Sequence, residues 1–181
     1  AFGQNFNTTM IQVASGMSSL VNGGVYYQPH IVKEIQKNDG TVVEKYKKTV
    51  VKQTVSKETS AYLKQCLYSV VQEGTGRSAK VDGYTMGGKT GTAQKLPREE
   101  DRYLVSFIGH VPADNPKVLI YVVIDEANVA NQAQSSFATN LAKEILTEIL
   151  PYLNIYPDEG KQDMTQITTY EENYAGSIFG N

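Results

Sequence analysis

Two apolar runs with a turn between them constrain this chain more than any other feature. Residues 103–111 and 118–125 are rich in Val, Ile, Leu, Tyr and Phe, and Pro112-Ala113-Asp114-Asn115-Pro116 separates them. β-Branched and aromatic side chains suit a pleated surface, and a Pro/Asn/Asp pentapeptide reverses direction, so the pattern predicts an antiparallel pair of strands. Residues 119–124 are apolar without interruption, which predicts a strand covered on both faces.

Three stretches have the periodicity to supply that cover. Met10, Val13, Ala14, Met17, Leu20 and Val21 recur at helical steps over 8–21, with Asn7 or Thr8 as N-cap and Asn22-Gly23-Gly24 as the stop. Residues 57–73 form a second helix, with Ser56 as N-cap, Glu58 in the dipole-favoured first turn and Gly74 as terminator. Its expected buried face is Leu63, Cys66, Leu67, Val70 and Val71. In the third, Phe137, Leu141, Ile145 and Ile149 run beside Ala138, Ala142, Leu146 and Leu150 until Pro151 ends the helix. Asn38-Asp39-Gly40 between 31–37 and 41–47 predicts a hairpin. The fold class is α+β: an antiparallel sheet packed on helices, occupying residues 1–153, followed by a polar, acidic tail over 154–181.

Composition excludes several functions. A formal charge of −2 over 181 residues does not make a nucleic-acid surface. Cys66 is the only cysteine, so no internal disulfide or multi-cysteine metal site can form, and a buried apolar role is expected for it. His30 has no ligating neighbour at metal-site spacing. No metal or cofactor is therefore expected. The longest apolar run, 118–124, has strand length and is too short to span a bilayer.

The chemistry is expected in Met86-Gly87-Gly88-Lys89-Thr90-Gly91-Thr92-Ala93-Gln94, where one cation and two hydroxyls stand among glycines. Read as a strand, the stretch can hold a carboxylate through Lys89 and Thr90 while its backbone pairs with an extended peptide. An alternative fits the letters of Gly83-Tyr84-Thr85-Met86-Gly87-Gly88-Lys89-Thr90, which match the nucleotide phosphate loop G-x-x-x-x-G-K-[ST]. Asp125 and Glu126 then imitate the magnesium-holding acid. Such a loop needs a buried strand before it and a helix opening at its Lys. Polar residues 76–82 precede it here, and Gly91 and Pro97 would break a helix on the downstream side.

Gly88-Lys89-Thr90-Gly91-Thr92-Ala93-Gln94 resembles the K-[ST]-G-T motif of the penicillin-binding proteins, and of the class B transpeptidases in particular. Three further segments resemble the same family in the same order. Gly3-Gln4-Asn5, with Thr8 to Ala14 and Leu20-Val21-Asn22-Gly23-Gly24, is similar to its G-Q-x, T-P-L-Q-M-A and A-N-G-G helix. Glu73-Gly74-Thr75-Gly76-Arg77-Ser78-Ala79 is similar to its G-T-G loop, and Ser106-Phe107-Ile108-Gly109-His110-Val111-Pro112 to its F-x-G-[FY]-x-P strand. The resemblance covers residues 1 to about 150.

It implies a partial penicillin-binding, β-lactamase-like fold in which the K-T-G strand and the two after it form the sheet. It also implies a peptidoglycan D,D-transpeptidase working by serine acyl transfer and inhibited by β-lactams, on the extracytoplasmic face of a bacterial membrane, with the anchor not on this chain. Lys89 and the Thr92 backbone amide would be the catalytic groups, and Lys89, Thr90, Gly91 and Thr92 would bind the stem peptide, with Arg98 and Arg102 as outlying candidates. One departure limits the analogy: no Ser has a Lys three positions on or an Asn two positions on, and Ser60 and Lys64 are one residue too far apart. The S-x-x-K nucleophile and the S-x-N serine are therefore expected on a missing N-terminal half, leaving this chain inactive alone and prone to self-association at an unpaired sheet edge.

Overall fold

The computed structural model describes residues 7–160. Within them a three-stranded antiparallel sheet, β5 (Gly87–Gln94), β6 (Tyr103–Val111) and β7 (Val118–Asp125), is ordered as in sequence. Helix α3 (Ser136–Tyr152) packs on one face, while α1 (Met10–Val21) and α2 (Lys57–Gln72) pack on the other side. The α+β class and the sheet composition are as expected. Gly3-Gln4-Asn5 and the tail from 161 onward lie outside the described residues.

Local chemistry explains the helix limits. The Thr9 hydroxyl accepts from the Gln12 amide and the Gln12 side chain accepts from the Thr9 amide, a reciprocal cap. The cap thus falls one residue beyond the expected Asn7 or Thr8. Ser56 caps α2 through the Thr59 amide at 3.1 Å, as expected from the sequence. Ser60 of α2 is fully buried, donating to the Leu20 carbonyl and accepting from the Gly23 amide, so it ties α2 to the end of α1.

The core lies between the sheet and α3. Phe107, Val111 and Val122 meet Ala138, Ala142, Leu146 and Leu150, with Val71, Val81 and Met86 completing the cluster. Each fully buried Leu here contributes about 1.5–3 kcal/mol of transfer free energy. The helical stripe is narrower than its letters imply: Leu141 and Ile145 remain 39% and 37% exposed. Pro151 does not end α3 but lies in its last turn, which closes with Leu153 N–H to Ile149 C=O and Asn154 N–H to Pro151 C=O. Cys66, expected inside, is exposed, because α2 buries Ser60 and Val71 fully and leaves its other faces partly open.

Beside this body sit two small sheets. The predicted hairpin forms between β2 (Glu34–Gln36) and β3 (Val42–Lys45), shorter than its pattern. A second pair, β1 (Val25–Tyr27) with β4 (Val50–Gln53), has no counterpart in the sequence pattern.

Residues 155–159, assigned by composition to the polar tail, bind the segment that leads into β5. Asp158 accepts from both the amide and the hydroxyl of buried Thr85, at 2.8 and 2.5 Å. Glu159 pairs with Lys80 at 2.7 Å and accepts from the Gly83 amide. The Gly83 carbonyl accepts from the Asp158 and Glu159 amides.

Candidate functional site

Lys89, Thr90, Gly91 and Thr92 lie on β5, fully extended, in register with Ile108, Phe107, Ser106 and Val105. This overturns the phosphate-loop alternative, since Lys89 and Thr90 head no helix that could hold a phosphate. Glu126, the imitation magnesium ligand, is taken up by Lys95 at 2.5 Å and Arg102 at 3.2 Å. These cations hold its carboxyl below the usual range, the hydrogen bond from Lys95 being the largest cause. Among the described residues no group of His, Cys, Asp and Glu is placed to hold a metal.

The hydrogen-bond phase of β5 decides what the site can do. Lys95 N–H donates to Arg102 C=O at 2.8 Å just beyond the strand pair, and antiparallel partners alternate between bonded and unbonded pairs. Counting back along the register, Ala93, Gly91, Lys89 and Gly87 bond to β6. Gly88, Thr90, Thr92 and Gln94 therefore turn their N–H and C=O groups to the outer edge, where no strand of the described residues pairs with them. Lys89 is exposed and its ammonium reaches the Thr90 carbonyl at 2.9 Å. Thr92 is exposed, and Thr90 is half-buried with its hydroxyl 2.8 Å from that of Thr75. The result is an open strand edge with donors, acceptors, two hydroxyls and one cation, able to pair with an extended ligand that carries a carboxylate.

The glycines are there for close packing. A Cβ on Gly91 would sit 2.6 Å from Ser106 Oγ, and one on Gly88 would sit 2.5 Å from the Phe107 ring and 2.9 Å from the Ile108 carbonyl. Phe107 fills the core and cannot retreat, so Gly88→Ala is expected to destabilise the fold by about 1–3 kcal/mol through overpacking. Urea denaturation checks this; an unchanged midpoint would place the Phe107 ring elsewhere.

The outlying candidates separate. Arg98 is exposed, whereas Arg102 is engaged by Glu100, Glu126 and the Leu96 carbonyl. His30 is exposed and stacks with Tyr46. His110, opposite Gly87, is wholly buried, with Nε2 3.2 Å from the Ala113 carbonyl and Nδ1 without a partner. Burial, with a smaller push from the nearby Lys64 charge, lowers its pKa from 6.5 to about 4, so the ring is neutral near pH 7. No helix of the described residues is long and apolar enough to cross a membrane.

A three-stranded antiparallel sheet covered by helices, with β5 as its open edge, defines an α+β domain whose edge strand can take up an extended ligand. Comparison with known proteins gives the family. Residues 1–147 match the model of the penicillin binding protein transpeptidase domain, and the chain belongs to that family, as the resemblance of its motifs implied. It is 42% identical over 161 residues to Stage V sporulation protein D of Bacillus subtilis, covering 87% of this chain and 25% of that protein. It is 34% identical over 181 residues to penicillin-binding protein PbpB of Mycolicibacterium smegmatis, covering 92% of this chain and 28% of the relative. Among solved structures, penicillin-binding protein 3 of Mycobacterium tuberculosis in complex with ampicillin superposes with a TM-score of 0.73 at 32% identity, covering 87% of this chain and 38% of that one. The chain thus spans about a quarter of the length of these curated relatives.

Proposed function

We propose that this chain is the substrate-holding part of a class B peptidoglycan D,D-transpeptidase, completed by a preceding half that carries the S-x-x-K and S-x-N serines. The observation that supports it is the outer edge of β5. A stem peptide added there pairs with the backbone of Thr90 and Thr92, its terminal carboxylate meets the two hydroxyls and the Lys89 charge, and the Thr92 amide donates to the oxyanion. Gly91 keeps the strand flat against β6 so that the peptide can approach. The serine of the other half attacks the D-Ala-D-Ala carbonyl, forming the ester as the peptide C–N bond breaks and the departing D-Ala amine takes a proton. An amine from a neighbouring stem peptide then displaces the serine. β-Lactams enter the same edge as carboxylate-bearing acyl donors, and solved relatives hold ampicillin and aztreonam.

The outer edge of β7 fits the same division of the domain. Its phase leaves the backbone groups of Leu119, Tyr121, Val123 and Asp125 facing away from β6, where no strand of the described residues pairs with them and strands of the preceding half would continue the sheet. A second copy of the chain would compete for that edge when the half is absent. The complete protein would act at the extracytoplasmic face of the membrane.

The test is mass spectrometry after exposure to a labelled penicillin. The 181-residue chain is expected to gain no covalent adduct, and the chain joined to the preceding serine-bearing segment to gain one per molecule. An adduct on the isolated chain would place a nucleophile within it and defeat the division of labour; no adduct on the joined protein would defeat the assignment of the site.

A further inference from the structure

The Thr75 hydroxyl lies 2.8 Å from the Thr90 hydroxyl, and the loop that presents it is held to the end of α2. The amides of Gly74 and Gly76, on either side of Thr75, both donate to the Val70 carbonyl, at 3.1 and 3.0 Å. Gly76 is buried while Thr75 is exposed, so the loop backbone is anchored on both sides of Thr75, whose side chain reaches β5. The Arg77 amide donates to the Gly74 carbonyl and closes the turn.

A hydroxyl has one proton and two lone pairs. Of two paired hydroxyls, one donates to the other, and only the acceptor keeps its own proton for a third group. An anion on the β5 edge needs a donor from Thr90. It selects the arrangement in which Thr75 donates to Thr90 and Thr90 donates outward. The reverse arrangement leaves Thr90 with lone pairs facing the anion, which repels it.

The geometry assigns to Thr75 the role of a positioning residue: it orients the Thr90 hydroxyl so that the β5 edge offers a donor to a ligand carboxylate. This rests on the proposed transpeptidase site and extends it to a residue outside the K-T-G strand. It predicts that Thr75 sets preference for a carboxylate over a neutral group at that place in the ligand. Removal of the Thr75 hydroxyl frees Thr90 to rotate and to donate elsewhere, which costs recognition of the anion without touching the oxyanion donor.

The experiment uses the chain joined to its serine-bearing half. Second-order acylation rates are measured with a penicillin bearing the free carboxylate and with its methyl ester, for the unsubstituted protein, Thr75→Val and Thr75→Ser. Thr75→Val is expected to slow the carboxylate ligand about tenfold, the upper end for one hydrogen bond between uncharged groups, and to leave the ester within about twofold. Thr75→Ser, which restores the donor, is expected to recover the carboxylate rate. Equal losses for acid and ester, or no recovery with Ser, would reduce Thr75 to a structural residue and overturn the assignment, as would an unchanged acid rate in Thr75→Val. If the unsubstituted protein is not acylated by either ligand, the proposed site fails, and this inference with it; acylation that is insensitive to Thr75 sinks the inference alone.

Discussion

Acidifying the chain from pH 7 to pH 4 is expected to remove about 3 kcal/mol of folding stability through His110 alone. The ring is 0% exposed and lies against Gly87, between β6 and α2. Since the Ala113 carbonyl can only accept, Nε2 carries the proton of the neutral ring and Nδ1 is left as a buried acceptor with no donor. A second proton would put a charge into that desolvated place beside the Lys64 ammonium, which itself donates to the Asp114 carbonyl of the neighbouring turn. Burial is the largest cause of the depressed pKa of about 4, the Lys64 charge adds to it, and the Ala113 carbonyl opposes both. The unfolded ring protonates near pH 6.5 and the folded ring near 4, so the contribution is complete above pH 6.5 and falls away as the pH approaches 4. Urea midpoints of the native chain and His110→Gln, measured from pH 7 to pH 4, check it. Glutamine can still donate to Ala113 but does not titrate, so the difference between the two proteins should narrow or reverse by about 3 kcal/mol. Glu126 and Glu159, whose pKa values are lowered chiefly by hydrogen bonds from Lys95 and Lys80, also lose stability on acidification, but equally in both proteins. Parallel stability curves would show that the ring is hydrated.

What the letters reveal and what they conceal divide along range of interaction. Ser56, Glu58 and Gly74 delimit α2 because capping acts within one turn, and the two apolar runs declare β6 and β7 because a strand's side-chain pattern is its own. Cys66 and Leu141 carry the right period yet stand exposed, since periodicity gives the direction of a face but not the width of what covers it. The pairing of β1 with β4 joins Val25 to Gln53 across an intervening hairpin, and such short strands leave no local signature. Asp158 and Glu159 read as solvent-loving, yet they satisfy the amides of Gly83 and Thr85. The site shows the same split. Its residues are legible in the K-T-G motif, but that the Thr90 and Thr92 backbones face outward depends on which pairs of the ladder are bonded, and that is set by Lys95 meeting Arg102. Thr75 reads as part of the G-T-G loop, but its contact with Thr90 is hidden because that partner is 15 residues away.

Lys89→Ala in the joined, serine-bearing protein is expected to slow acylation by a carboxylate-bearing penicillin about 10²–10³-fold, the range found when one preorganised electrostatic donor is lost. The two lysines that flank β5 in sequence have their charges matched: Lys80 pairs with Glu159, and Lys95 with Asp125 and Glu126. Lys89 enters no ion pair among the described residues and touches only the Thr90 carbonyl, a dipole that leaves the cation's field directed at the open edge of β5. An anionic ligand arriving there meets an uncompensated charge, and because the ammonium is exposed in the free chain, its full effect develops only once ligand and the other half exclude water. For the same reason its removal costs the fold little: an exposed side chain away from any cap or core is worth within about 0.5 kcal/mol. The expected signature is therefore a large loss of rate with an unchanged melting temperature. Lys89→Arg keeps the charge on a longer, planar head that cannot take the same place over the Thr90 carbonyl, and its rate should fall between the two. A Lys89→Ala protein that reacts as fast as the parent would show that the cation serves the strand edge and not the ligand; one that unfolds would show that its contact with Thr90 holds β5 itself.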